Sequence, residues 1–500
     1  MTMSALPVQR TLRPPATMKQ RHRVFAILTA AFFCYLLSHT STTQVELNEE
    51  EDLTEGIADR LSPVHEHQFP AEIVDSNSTL CQYNECLQGR WVPREPQFKT
   101  LEDFQEVFAK KGSTKWSSCN VGEPPSGVTR TPAETKSLKE QRIVDIMNWM
   151  WQPSDGEWIP WDPMDFVVRL LKTPGGLVFM GDSLSQGHEH AFGSYLQEGG
   201  IKFTMDPPHL PKDSFIRTHI LQKHHPMTLE LQKRAGVPDS RLDYPIFSVV
   251  EEHMLVHEEE LRYLTGLNGA TEGWPWHLRS MKRADDWEAF FRWLTKGRPG
   301  EDASVTRDTI LVLNTGAHWS RGTLYMLPRL ETLEQERAAL TNVYKTMVKM
   351  VMKKFSQYTR LTIFYRSTNP GHPSCQLHTK PFADLSEARL EEARFFELSD
   401  LSATSERDIV TRRRWDWDYF NVHSQIWREE ISRLERLSRM VKQPNKSRFV
   451  RGVKWLFMDV YDMSLQRPDA HSSPGKDCLH SVYFEWSRHL YHLLYLEQGS

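Results

Sequence analysis

From about residue 165 onward, short apolar runs alternate with longer amphipathic stretches, and this rhythm restricts the possible folds more than any other feature of the chain. Leu177-Val178-Phe179-Met180 is apolar throughout and is bounded by Gly175-Gly176 and Gly181. Ile310–Asn314, Leu361–Tyr365 and Val453–Asp459 repeat the pattern, and Ile246–Val250 repeats it more weakly. Runs this short with no alternating polar face read as strands buried on both sides. Between the runs at 310 and 361 lies Glu331–Tyr358, with Leu333, Leu340, Val343, Met347, Val351 and Phe355 at helical spacing. Further helices are expected over about Gln186–Gln197, Trp417–Met440 and Ser481–Tyr495. Such alternation predicts the α/β class, with a mainly parallel sheet covered by helices on both faces.

At 39% hydrophobic and 25% charged, 500 residues hold ample material for a core, and a net charge of -4 gives no reason to expect a nucleic-acid partner. The 16 tryptophans and 14 tyrosines are many. Such rings line carbohydrate clefts, although core packing is their commoner use. The apolar segment Val24–Leu37 follows Arg10, Arg13, Lys19, Arg21 and Arg23, which predicts a cytosolic N-terminus and translocation of everything after Ser38. It is short for a bilayer of about 30 Å. A long preceding region, Pro14-Pro15 and the poor cleavage site Ser38-His39-Thr40 favour an uncleaved type II anchor over a cleaved, secreted form.

Either reading exposes the rest of the chain to an oxidising lumen, and the sequons at Asn77 and Asn445 agree. Of the 6 cysteines, Cys34 belongs to the anchor, leaving Cys81, Cys86, Cys119, Cys375 and Cys478. These allow at most two bridges, in a pairing the sequence leaves open, with one cysteine over. No CxxC pair is present, so no cysteine zinc site is expected. The expected organisation is a cytosolic tail (1–23), a membrane anchor (24–39), an acidic disordered stem (40–78), a Cys/Trp-rich subdomain (79–164) and a catalytic domain (165–500).

Gly181-Asp182-Ser183 follows the first strand of that domain and precedes a helix. In a parallel sheet, ligands bind outside the carboxyl ends of the strands, where a helix N-terminus also offers N–H donors to a developing oxyanion. A serine hydroxyl needs a base to take its proton. His480 is the best candidate, with Asp477 three residues earlier to hold its tautomer. Asn314 either supplies a further amide donor or simply forms the turn before Gly316. His253 and His257 are four apart, but Met254 stands where HExxH needs a glutamate, so no catalytic metal is expected. His188 and His190 are expected on the following helix, away from the hydroxyl.

With these residues in place, the chain resembles the trichome birefringence-like (PC-esterase) family of membrane-anchored polysaccharide O-acetyltransferases, in the SGNH/GDSL hydrolase superfamily. Cys86-x-x-Gly89-x-Trp91-Val92 resembles its N-terminal cysteine motif, and Trp149-Met150-Trp151-Gln152-Pro153 its Trp-x-Trp-x-Pro element. Phe179–Leu184 is similar to its nucleophile block, and Asn314-Thr315-Gly316 to its Asn-Thr-Gly segment. Arg366–His372 resembles an Arg-x-x-x-Pro-x-His segment, and Arg467–His471 and Asp477–His480 the closing pair of motifs. The resemblance implies an SGNH-like three-layer α/β/α fold and a Ser183–His480–Asp477 triad forming an acyl-serine intermediate. It assigns Arg467, Asp469 and His471 to an accessory motif that holds the active-site loop. Gln186-Gly187 stands where plant members carry Arg-Asn, which marks Gln186 as a donor- or acceptor-handling position.

The resulting expectation is a Golgi-membrane enzyme that moves an acetyl group onto a polysaccharide hydroxyl, with Gly181, Asp182, Gln186 and Asn314 around the oxyanion and substrate. No bound cofactor is expected. The acetyl donor would be acetyl-CoA or a group delivered by a multi-spanning partner. Two alternatives are an acetylesterase using the same residues and a non-catalytic glycan-binding protein.

Overall fold

The computed structural model describes residues 80–498 apart from 84, 109–118, 123, 125, 271–283, 285, 374, 403–415, 441–452, 475–476 and 482–483. The expected anchor at 24–39 and the asparagines of both sequons lie outside the described residues. Among those described, no helix is long and apolar enough to cross a membrane. The described residues all fall within one compact unit, Pro70–Ser500.

The strands in chain order are β1 (Gly89–Pro93), β2 (Trp149–Pro153), β3 (Leu177–Gly181), β4 (Phe203–Met205), β5 (Ile216–Leu221), β6 (Phe247–Glu251), β7 (Thr309–Leu313), β8 (Leu361–Arg366), β9 (Lys454–Met458), β10 (His471–Ser473) and β11 (Asp477–Ser481). Seven of them form the central sheet in the order β4-β5-β6-β3-β7-β8-β9. The five strands from β6 to β9 in that order run parallel, and β5 and β4 close one edge antiparallel. All five expected runs are strands, and the weakest of them, β6, pairs directly with β3.

Strand geometry sends alternate residues to opposite faces, and β3 feeds two cores in this way. Leu177 and Phe179 pack with Phe166, Leu170, Phe192, Leu490 and Leu494 on one side. Val178 and Met180 pack with Trp287, Phe291, Val343, Met347 and Trp427 on the other. The sheet therefore lies between two helical layers. From β3 the chain reaches β6 on one side and then crosses to β7 on the other. The strand order reverses at β3, and in open sheets of this kind ligands bind at the carboxyl end of such a switch point.

Three differences from expectation have physical causes. Ile216–Leu221 carries Arg217, Thr218 and His219 among its apolar residues, as suits an antiparallel strand near an edge, and so hides from a search for continuous apolar runs. β4 is only 3 residues long. The helix after β3 is Ser183–Glu198 and begins at the serine itself, because the Asp182 side chain caps it by accepting the Leu184 N–H.

The Cys/Trp-rich segment forms an antiparallel ribbon in which Trp91 in β1 faces Trp151 in β2. A Cys81–Cys86 disulfide lies beside it. The Trp91 indole donates to Met463 O at 2.9 Å and lies 4.4 Å beneath the Arg467 guanidinium, which docks the ribbon near the C-terminal motifs.

Candidate active site

The turn after β3 is set by a close approach of two backbones. Gly181 has φ +147, and a Cβ there would lie 2.1 Å from Asn314 O, so only glycine fits. Asp182 then caps the helix from a fully buried position, and Ser183 occupies the first helical residue. In the first turn Asp182 Oδ1 takes the Leu184 N–H, and Asp182 O takes those of Ser185 at 2.9 Å and Gln186 at 3.3 Å. This leaves the Ser183 N–H and the positive end of the dipole at the head of the helix.

Asp477 and His480 lie outside the central sheet, on β11, which among the described residues pairs only with β10 in a two-stranded ribbon. The ribbon brings His480 Nε2 to 2.7 Å from Ser183 Oγ. On the other side of the ring, His480 Nδ1 is 2.7 Å from Asp477 Oδ2. The second carboxylate oxygen accepts the N–H groups of Leu479 at 3.0 Å and His480 at 3.1 Å. A carboxylate can only accept, so Nδ1 carries a proton and Nε2 presents a lone pair to the serine hydroxyl. Burial raises the Asp477 carboxyl, but its bonds to His480 and to the two N–H groups outweigh that and hold it at about 2. For His480, burial lowers the imidazole, yet Asp477 and the more distant Asp182 leave it raised above its ordinary value.

The ribbon is tied from behind, residue by residue. Cys478 is disulfide-bonded to Cys375, in the loop after β8. Its carbonyl accepts the His372 N–H at 2.8 Å. The Leu479 carbonyl accepts from Asn369 Nδ2 at 3.0 Å, and the His480 carbonyl faces His471 Nδ1 at 3.0 Å. His471 Nε2 in turn meets His372 Nδ1 at 2.8 Å, and His372 Nε2 faces Leu465 O at 3.0 Å. With carbonyls at both ends, these three contacts need three ring protons, and two neutral imidazoles carry two. Burial pulls His372 down to about 4 and His471 well below its ordinary value. The neutral pair therefore completes two of the three bonds, and Ser481 Oγ lies 3.4 Å from His471 Nδ1 as an alternative donor.

Arg467 and Asp469 form a buried bidentate pair at 2.9 and 3.0 Å. They lie behind the ribbon, with Arg142 Nη2 bonded to Asp469 O at 2.7 Å and to His471 O at 3.3 Å. Asn314 does not offer the amide expected of an oxyanion donor. Its Nδ2 is fully buried and donates to Arg366 O at 2.9 Å and Thr368 Oγ1 at 3.1 Å, which ties β7 to the end of β8. Gln186 is partly exposed, one turn into the helix, where its backbone N–H bonds Asp182 O at 3.3 Å. His188 is buried on the same helix, with Nδ1 3.3 Å from Arg366 Nη1. His253 stacks on His318 at 4.2 Å. Burial lowers the His318 imidazole, which also senses the charges of Asp182 and His480.

Sequence reasoning missed Asn369 as a support and could not pair the cysteines. Thr368-Asn369-Pro370-Gly371 reads as an ordinary turn, and nothing local shows that its amide reaches residue 479. The leftover cysteine is Cys119, buried and unpaired.

Cys81, Cys86 and His492 lie close enough together to suggest a metal site. Two features oppose it. The cysteines are already joined to each other, and His492 Nδ1 accepts the Ile159 N–H at 3.0 Å. The proton of this neutral ring is thus on Nε2, bonded to Cys81 O at 3.0 Å, so Nε2 has no lone pair for an ion. No protein-family model matches the chain, and no curated protein matches it.

Proposed function

We propose that the protein is a serine-dependent O-acyltransferase that carries an acetyl group on Ser183 and passes it to a polysaccharide hydroxyl. The single observation that carries the chemistry is the unbroken chain Ser183 Oγ–His480–Asp477, with both contacts at 2.7 Å. His480 Nε2 takes the hydroxyl proton as Oγ attacks the acetyl carbonyl. The backbone N–H of Ser183, at the start of its helix, and the positive end of the helix dipole meet the oxyanion. Collapse of the tetrahedral intermediate expels the donor's leaving group, which takes the proton back from His480. A sugar hydroxyl then gives its proton to His480 and attacks the acyl-serine, which regenerates the enzyme.

The acetyl group and the glycan acceptor rest on the ordered motif resemblance, as do the SGNH-like assignment and the Golgi-lumen setting with a type II anchor. The donor is acetyl-CoA or an acetyl group handed over by a multi-spanning partner. Hydrolysis by the same residues is the second reading, and one observation favours it. The Asp477 and His480 side chains are 37% and 34% exposed, which leaves the base open to water. A glycan-binding protein without catalysis would have no use for a serine aligned on a tautomer-fixed histidine.

The test incubates the full chain in detergent with acetyl-CoA and a panel of oligosaccharides, followed by mass spectrometry. Acetylated sugar from the wild type and none from Ser183→Ala is the expected result. Acetate release with every acceptor and no transfer makes it an esterase. Product that persists in Ser183→Ala overturns the triad.

A further inference from the structure

The Cys375–Cys478 bridge enters the ribbon between the two residues that make the base, Asp477 and His480. We propose that this disulfide is a redox gate on the catalytic ribbon, opened by a dithiol reductant and closed by reoxidation; the inference rests on the serine-transferase reading above.

The two disulfides differ in the access they offer. Cys81 and Cys86 are 1% and 0% exposed, in the core beside His492. Cys478 is only partly buried, on a surface ribbon, while its partner Cys375 is fully buried. Thiol exchange requires a thiolate to reach a sulfur, so attack falls on Cys478. One thiolate of the dithiol bonds to Cys478 Sγ, the Cys375–Cys478 bond breaks, and Cys375 leaves as a thiolate that takes a proton from solvent. The second thiol of the reductant then attacks the mixed disulfide and releases Cys478 as a thiol. The dithiol supplies both electrons and leaves as its own disulfide.

The position of the bond gives its opening a consequence for catalysis. It joins residues 103 apart in sequence, across the loop after β8 and the ribbon. Among the described residues β11 has no partner in the central sheet, so no strand ladder to that sheet holds it once the bond is broken. What remains against the loop after β8 is hydrogen bonding, from the His372 N–H to Cys478 O, from Asn369 to Leu479 O and between the His372 and His471 rings. Asp477 keeps its local bonds to Leu479 and His480, so the base survives as a pair. Its alignment on Ser183, which sits on the helix after β3 and not on the ribbon, is what is released. Displacement of a reacting group by about 1 Å costs on the order of 10²-fold in rate.

The experiment measures the rate at which a fluorophosphonate labels Ser183 in the full chain, a readout that needs no acceptor sugar. The chain is titrated with dithiothreitol, and cysteines that open are alkylated and mapped by mass spectrometry. Cys375 and Cys478 are expected to open before Cys81 and Cys86, with labelling slowed about 10²-fold and restored when unalkylated samples are reoxidised. The Cys375→Ser/Cys478→Ser double variant is expected to label slowly at every dithiol concentration. If that variant does not fold, the wild-type titration decides alone. Full alkylation of Cys375 and Cys478 with labelling undiminished overturns the gate, as does prior opening of Cys81–Cys86. Oxidised wild type that is never labelled at Ser183 overturns the serine reading itself, and the gate with it.

Discussion

The proposed nucleophile and its proposed base are held by two different kinds of structure. Ser183 follows β3, a strand hydrogen-bonded on both sides, every residue of which is buried, and it opens a helix packed against the same sheet. His480 sits on a two-stranded surface ribbon, held by side chains, carbonyl contacts and one disulfide. Secondary structure fixes the first position cooperatively, so losing one contact there costs stability before it costs geometry. The second position is the sum of a few discrete ties, so each tie should register in the rate.

The largest effects should come from the reacting groups. Ser183→Ala is expected to lower kcat about 10⁶-fold, and Asp477→Asn about 10⁴-fold through the wrong tautomer. Both should melt as the wild type does, and a loss below tenfold for Asp477→Asn removes that residue from the machinery. Next is the tie at Asn369. Asn369→Ala removes the donor to Leu479 O and is expected to lower kcat about 10²-fold with little change in KM. Equal damage to KM and to thermal stability would reduce it to general packing.

The pH profile sharpens the same contrast. Because His480 is raised above its ordinary value, kcat/KM should fall tenfold per unit as pH drops through a midpoint above 6.5. Asp477, held at about 2, adds no limb near neutrality. Stability should follow different groups. His423 and His489 are kept at about 3 by burial and stay neutral in the fold, whereas the unfolded chain takes up protons below about 6.5. These two groups therefore make unfolding easier as pH falls from about 6.5 toward 3, the window in which they gain protons only in the unfolded state. Denaturant midpoints that rise on acidification would contradict this sign.

The smallest effect on rate is expected in the sheet. Phe179→Ala should cost about 3–5 kcal/mol of stability while leaving kcat per folded molecule within a few-fold. A large rate loss without a stability loss would reverse the contrast between the two regions.

Much of the fold was legible because burial on both faces writes itself directly into residue type. Each of the five parallel strands announces itself by an apolar run, and the turn at Ser183 by a strand, a glycine and a cap within three residues. β5 escaped because an antiparallel strand near an edge tolerates Arg217 and His219. The amphipathic helix Trp287–Leu294 was too short for its periodicity to stand out.

The sequence by itself therefore determined the parallel strands, the helices that cover them and the choice of Ser183, Asp477 and His480 as the residues to bring together. The tertiary structure alone decided how they meet. Local pattern cannot express a carbonyl at 479 held by residue 369, a sulfur at 478 bonded to 375, or an Asn314 amide turned into the core. These contacts join segments far apart in the chain, and each depends on geometry that exists only after the sheet has closed around it.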